Sequence, residues 1–293
     1  IYEVPLVMHR QHLDEVVLSK LDLPSEQEPD LSSLQAFVDK VKNPKRTIDI
    51  ALVGKYTELP DAYKSICESF IQAGAVNDCK VKLHYVNSEK IDASNVGEKL
   101  GKMAGILVAP GFGNRGIEGK IEAVHFARTH RIPFLGICLG MQCAVIEFAR
   151  NVLGFKDATS TEMDPATKHP VIDLMEEQKG ITAKGGTMRL GAYPCSLEPG
   201  SKAAQAYGTT QIQERHRHRY EFNNSFKEAY EAAGMKCVGI NPESDLVEIV
   251  EIPALKWFVG TQFHPEYSST VLHPHPLFVA FVKAAIENEN EKK

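Results

Sequence analysis

Pro133-Phe134-Leu135-Gly136-Ile137-Cys138-Leu139-Gly140-Met141-Gln142 is the stretch that decides the fold. An apolar run ends at a cysteine set between two glycines. A helical pattern through Ala144, Val145, Ile146, Phe148 and Ala149 starts directly after it. Strand, sharp turn and helix is the local geometry of a nucleophile elbow. Gly136 and Gly140 supply the room such a turn needs. Cys138 then sits at the apex and at a helix N-terminus, where unpaired N–H groups and the helix dipole favour a thiolate. A lone cysteine is more often a core residue. The Gly-x-Cys-x-Gly frame turns the reading toward a nucleophile.

Working outward, Ile48–Gly54 reads as a short apolar strand ending in glycine. A helix follows from Pro60 to about Ala73, then strands at 80–86 and 105–108, helix 117–130, strand 132–137 and helix 139–150. This alternation predicts a parallel sheet covered on both faces. Strands then follow one another at 187–190, 211–222, 235–240, 246–251 and 258–263, before a final helix at 276–287. The expected fold is therefore α/β: three layers, α/β/α, around a mostly parallel but mixed sheet. Residues 1–23 hold one helical pattern. Pro24–Pro29 reads as a linker, and a short helix capped by Asp30 or Ser32 carries the chain to Asn43-Pro44. The division expected is 1–23, a linker at 24–46, and one main domain at 47–293. In open α/β sheets ligands gather beyond the C-terminal strand ends. Val53-Gly54, Val108–Gly113, Cys138 and His264 all fall at such ends.

The totals are ordinary for a soluble globular protein. Of 293 residues, 43% are hydrophobic and 24% charged, and the net charge is −5. No basic tract points to nucleic acid or a membrane surface, and no apolar run is long enough to span a bilayer. Ile1–Pro5 is not a signal peptide and reads as the middle of a longer protein. The six cysteines, at 67, 79, 138, 143, 195 and 237, include no CxxC pair. Reduced thiols in a cytoplasmic protein are expected. His216 and His218, or His273 and His275, invite a metal, but no partner set with ligand spacing accompanies them, so no metal is expected.

A nucleophilic cysteine needs a base, and the base an orienting group. Gln262-Phe263-His264-Pro265-Glu266 offers both, because i and i+2 of an extended chain point to one side. An oxyanion needs preorganised donors. The N–H of Leu139 is the natural first. The second is expected from the loop Ala109-Pro110-Gly111-Phe112-Gly113-Asn114-Arg115-Gly116. Pro110 has no N–H, so the donor there is Gly111. A phosphate cradle or an ordinary turn-rich loop remains open for this stretch. In Glu214–Glu221, Arg215, Arg217 and Arg219 share a strand face, which suits a substrate carboxylate or, alternatively, acidic side chains or solvent at an edge.

Gly136–Gln142 together with His264-Pro265-Glu266 resembles the Cys-His-Glu triad of class I glutamine amidotransferases. Ala51-Leu52-Val53-Gly54-Lys55-Tyr56, Gly111–Gly116, Gly185–Gly191 and Glu214–Glu221 look like the glutaminase domain of the CTP synthase family, and Ile1–Leu6 looks like the end of that family's synthase domain. The resemblance implies a class I glutaminase-like fold, with Cys138 as nucleophile, His264 as base and acid, and Glu266 as orienter. It implies glutamine binding by Gly111, Leu139, Gly140, Met141, Gln142, Glu162 and Arg219, with Glu162 on the α-ammonium and Arg219 on the α-carboxylate. It also implies a GTP-responsive region around Arg115, Thr187 and Arg189. No cofactor is expected in this chain itself. A whole enzyme of the family would use ATP and Mg, respond to GTP, aminate UTP to CTP in its own N-terminal synthase domain, and form a homotetramer. One departure stands out: the usual Pro-Gly-Gly-Phe-Gly is here Ala109-Pro110-Gly111-Phe112-Gly113. The same chemistry could serve another class I amidotransferase or a γ-glutamyl hydrolase, and a catalytically silent regulatory module is the remaining alternative.

Overall fold

The computed structural model describes residues 1–24, 28–174 and 188–292. In chain order the elements are α1 (Val4–Arg10), α2 (Leu13–Lys20), α3 (Ser32–Lys42), β1 (Arg46–Gly54), α4 (Lys64–Val76), β2 (Cys79–Asn87), α5 (Val96–Leu100), β3 (Gly105–Val108), α6 (Ile117–Thr129), β4 (Phe134–Ile137) and α7 (Leu139–Asn151). There follow β5 (Thr159–Ser160), β6 (Pro170–Leu174), β7 (Arg189–Leu197), α8 (Lys202–Tyr207), β8 (Gln211–His218), β9 (Tyr220–Phe222), α9 (Lys227–Ala233), β10 (Lys236–Ile240), β11 (Val247–Glu251), β12 (Phe258–Thr261) and α10 (Pro276–Glu291).

Nine strands form one sheet in the order β2-β1-β3-β4-β12-β11-β10-β7-β8. The half from β2 to β12 is parallel, and β11, β10, β7 and β8 extend it antiparallel. Strand alternation sends successive side chains to opposite faces. In β1, Ile48, Ile50 and Leu52 join the core under α4, α8 and α10, while Ala51 and Val53 join the core under α5, α6, α7 and α9. The result is the expected α/β/α sandwich. Register aligns the functional ends: Val53 pairs with Val108, Val108 with Gly136, and Ile137 with Thr261. The residues that follow these strands therefore emerge on one edge.

Three features differ from the sequence expectation. Residues 1–23 are two helices, broken at His12, whose φ is +59°. Leu6 of α1 also packs with Phe37, Val38 and Ala75, so this segment contributes a small buried cluster. The stretch 211–222 is not one strand: β8 belongs to the large sheet and β9 to a three-stranded sheet with β5 and β6, and Arg219 is the single residue between them. The strand expected at 187–190 is a nine-residue strand from Arg189, in which short-range hydrophobicity is weak; Thr187 lies outside the described residues.

Candidate active site

The elbow is built as the sequence implies. Cys138 caps α7 with φ +51° and ψ −103°, a conformation side-chain-bearing residues rarely adopt. The turn can be this tight because of what its glycines lack. A Cβ on Gly140 would lie 2.1 Å from the carbonyl oxygen of Val108, and one on Gly136 would lie 2.7 Å from the backbone of Gly140. The N–H of Cys138 donates to Thr261 at 2.7 Å, which ties the apex to the end of β12.

That tie brings in the base. His264 follows β12, and Pro265–Tyr267 forms a 3-10 turn, so Glu266 folds back beneath it. His264 Nδ1 and Glu266 Oε1 are 2.7 Å apart, and both side chains are buried. This contact differs in origin from the extended-chain argument: the turn, not strand alternation, makes it. The imidazole is stacked on Tyr267 at 4.9 Å, and the His264 N–H donates to the carbonyl of Arg215. His264 Nε2 is buried without a formed hydrogen bond. Burial would lower the pKa of this histidine, but the neighbouring Cys138 sulfur and the Glu266 carboxylate outweigh it and raise the value to about 11. A thiol and an imidazole so coupled are poised to share one proton, and such contacts commonly tighten only when a reactant is bound.

Around Cys138 lies a cleft of about 390 Å³, counting its open mouth, lined by Gly111, Phe112, Gln142, Glu162, Met188, His218, Arg219 and Tyr220. The N–H groups of Gly111 and Leu139 have no acceptor among the described residues; for Leu139 this follows from its place in the first turn of α7. Glu162 accepts from the N–H of Gly113 at 3.0 Å. Arg219 is placed here by the strand break, and its Nε is buried without a partner. A carboxylate and a guanidinium on one small cleft, with a thiol at its floor, suit a zwitterionic amino acid carrying an electrophilic side chain. Gln142 donates to the carbonyl of Tyr220 at 2.8 Å and to Gln262 Oε1 at 3.2 Å.

Not every expected residue lines the cleft. Leu139, Gly140 and Met141 do not; the Met141 side chain is buried against the position of Gly260. Arg215 and Arg217 point outward from β8, while Glu214, His216 and His218 point inward. Arg115 is exposed, paired with Glu89 at 3.0 Å and placed over the Tyr56 ring. Arg189 is buried, bonded to Glu248 at 2.6 Å and placed over the Tyr193 ring. The two arginines share no partner.

The sequence reading missed three groups. Gln262 Nε2 reaches Cys138 Sγ at 3.7 Å, and the motif around His264 could have flagged it. Lys120, fully buried on α6, donates to the carbonyl of Ala109 at 2.6 Å; an amphipathic pattern gives no sign of it. Glu248 on β11 joins His216 and His218, with ligand atoms within 4.8 Å of one another. Burial lowers His216 to about 2 and His218 to about 3, so both imidazoles are neutral. The Arg189 guanidinium bonds Oε1 of Glu248, which ties this cluster into an ion-pair network.

Comparison with known proteins agrees with this geometry. The family model for Glutamine amidotransferase class-I matches residues 58–284. The chain is 67% identical over 291 residues to a CTP synthase of Bacteroides thetaiotaomicron, covering 99% of this chain and 54% of that protein. It is 63% identical over 293 residues to a CTP synthase of Cytophaga hutchinsonii, again covering 54% of it. The chain thus spans about half the length of these relatives. Among solved structures, the CTPS glutaminase domain of Trypanosoma brucei with bound acivicin superposes with a TM-score of 0.78 at 37% identity, covering 82% of this chain and 94% of that one. A Thermoplasma acidophilum protein assigned to GMP synthase shares the fold, at a TM-score of 0.54 and 16% identity, covering 84% of this chain and 98% of that one. By sequence family and by structure, this chain belongs to the class-I glutamine amidotransferases and, within them, to the CTPS glutaminase domains.

Proposed function

We propose that this chain hydrolyses L-glutamine through a γ-glutamyl thioester on Cys138. The observation that carries the reading is the buried Cys138–His264–Glu266 constellation at the floor of a cleft flanked by Glu162 and Arg219. Arg219 receives the α-carboxylate and Glu162 the α-ammonium, which directs the side-chain amide toward the elbow. With the proton they share resting on the His264 imidazole, the Cys138 Sγ attacks the amide carbon as a thiolate. The oxyanion forms against the N–H groups of Gly111 and Leu139, whose contribution is large in a water-poor site. His264 returns its proton to the leaving ammonia as the C–N bond breaks. It then deprotonates the water that cleaves the thioester, and glutamate and the free thiol result. Glu266 holds the ring and favours its charged form throughout.

In the whole protein the released ammonia serves the ATP-dependent amination of UTP to CTP, in a cytoplasmic homotetramer. The division is residues 1–23 as the end of the synthase domain, 24–46 as a linker and 47–293 as the glutaminase domain. ATP and Mg belong to the synthase domain. For a GTP activator this chain offers a partial fit. Exposed Arg115, on an aromatic ring and in a solvent-facing pair with Glu89, can exchange that partner for a nucleotide; buried Arg189, bonded to Glu248, cannot. Support for this larger setting comes from the CTP synthase relatives, which match along essentially the whole chain.

The deciding experiment measures ammonia and glutamate release from glutamine by the chain and by Cys138→Ala. Release by the parent chain, abolished in the variant together with acid-stable labelling by radioactive glutamine, is the expected result. Equal release by both would remove Cys138 from the reaction.

A further inference from the structure

We propose that Lys120 is a positioning residue: its ammonium holds the Pro110–Gly111 peptide so that the Gly111 N–H is turned to the cleft. The proposal rests on the glutaminase reading above and names a part of that machinery which the triad does not include.

The argument begins with the peptide unit. The C=O of Pro110 and the N–H of Gly111 belong to one rigid plane and point in opposite directions. Whatever holds the carbonyl therefore aims the N–H. Lys120 Nζ lies 2.6 Å from the carbonyl oxygen of Ala109 and 3.5 Å from that of Pro110. It approaches from α6, behind the loop, and a Cβ placed on Gly111 would sit 3.7 Å from Nζ and 3.5 Å from the Leu139 side chain. The Lys120 ammonium, the Lys55 side chain and the Leu139 side chain thus crowd the Cβ side of Gly111. At the next residue along the chain, Lys55 Nζ donates to the carbonyl of Phe112. Carbonyls on both flanks of the donor are tied back by ammonium groups, and the N–H of Gly113 is taken by Glu162. The Gly111 N–H is left for the cleft.

This explains an otherwise costly residue. Lys120 is fully buried, and the titratable groups around it are Cys143, Lys55 and Cys138, with no carboxylate among them. Burying a cation without a counter-ion works against stability. Packing alone would be better served by an apolar side chain of the same length. Burial, chiefly, pushes Lys120 down to about 8. It remains charged at neutral pH and loses its charge in mild alkali.

The test compares the full chain with Lys120→Met, which keeps the volume and removes the charge. The expected result is a fall in kcat for glutamine of about 10–100-fold, the scale for a misplaced rather than deleted donor. KM stays within about threefold, and the thermal midpoint is equal or higher. The alkaline limb near pH 8 in the kcat profile disappears. Alkylation of Cys138 by iodoacetamide, which builds no oxyanion, proceeds at the parent rate. An unchanged kcat in folded Lys120→Met overturns the proposal, and so does an alkylation rate that falls in step with kcat. If Lys120→Met does not fold, the Gly111 amide resonance of the parent chain carries the test. It should titrate with a midpoint near 8, and no movement between pH 7 and 9 overturns the proposal. Failure of the parent chain to hydrolyse glutamine at all would instead count against the glutaminase reading, while the amide titration would still report on Lys120.

Discussion

His264 Nδ1 and Glu266 Oε1 meet at 2.7 Å across a single intervening proline. In an extended strand, residues two apart sit about 6.8 Å from each other along the chain. The 3-10 turn at Pro265–Tyr267 closes that gap. Pro265 starts the turn with its φ already set and with no N–H to leave unsatisfied. The orienting carboxylate therefore depends on the base's own neighbours and not on a distant element.

Glu266→Gln keeps the shape of this contact but removes the charge. The raised pKa of His264, about 11, should fall toward its ordinary 6.5. In the parent chain this raised value stabilises the fold fully below pH 6.5, and the stabilisation declines as pH rises toward 11. The variant should keep only the part of that alkaline decline that Cys138 supplies. Its kcat for glutamine should fall by about 10²–10⁴-fold, the range for disabling the orienter of a triad. Steady-state ammonia release and denaturant melts across pH 6–10 check both halves; a variant within threefold of parent kcat would exclude Glu266 from the triad.

Arg219 offers a guanidinium to the cleft with Nε unpaired in the absence of substrate. Its loss should weaken binding more than chemistry. Arg219→Ala should raise KM for glutamine by about 10–100-fold, as expected for one charged hydrogen-bonding group, with kcat changed far less. Arg219→Lys should not restore KM, because an ammonium cannot offer the planar fork. A kcat loss with KM unchanged would move Arg219 out of the carboxylate site.

How much of this site could be read from the chain depends on sequence range. Cys138 and His264–Glu266 were legible because each motif is local: a glycine frame fixes the elbow, and two residues span the orienter contact. Arg219 was legible as a candidate for the carboxylate, but its position at the cleft was not. The pattern of 211–222 reads as one strand, and only tertiary pairing of Tyr220–Phe222 with β6 breaks it at that residue. Lys120 and Glu248 were not legible at all. A lysine in an amphipathic helix and a glutamate in a short strand look solvent-facing until the partners arrive from 11 and 59 residues away. The parallel half of the sheet followed from short β-branched runs alternating with helices, whereas α8 and α9, six and seven residues long, give too few turns to show a period.

Gly140 is a test of the elbow itself. A Cβ there would meet the Val108 carbonyl at 2.1 Å, and backbone cannot rotate away as a side chain can. Gly140→Ala should destabilise by about 1–3 kcal/mol through overpacking. It should also lower kcat more than that loss of folded protein explains, because α7 must shift and Cys138 and Leu139 move with it. A circular-dichroism melt together with kcat per folded molecule decides this. Parent-like values for both would mean that the turn has slack the geometry does not show.

Acid should attack the fold through His216 and His218. Both are buried and neutral, lowered to about 2 and about 3, so the unfolded chain binds their protons first as pH falls below 6.5. Stability is therefore present above pH 6.5 and declines on acidification. Each histidine contributes a slope of about 1.4 kcal/mol per pH unit. Glu248 opposes them over part of the range. Burial, against the pull of Arg189, pushes it up to about 7, so between pH 7 and 4.5 the folded state is the one that takes up its proton. From these three groups the net slope is about 1.4 kcal/mol per pH unit between pH 6.5 and 4.5, and about 2.7 below it until the histidines charge in the folded state. His216→Phe should reduce the slope by about 1.4 throughout this range, whatever constant offset the new ring adds. Urea melts of both proteins from pH 3.5 to 7 measure the difference. Parallel curves would show that His216 is charged in the folded protein and that its contact with Glu248 is a true ion pair.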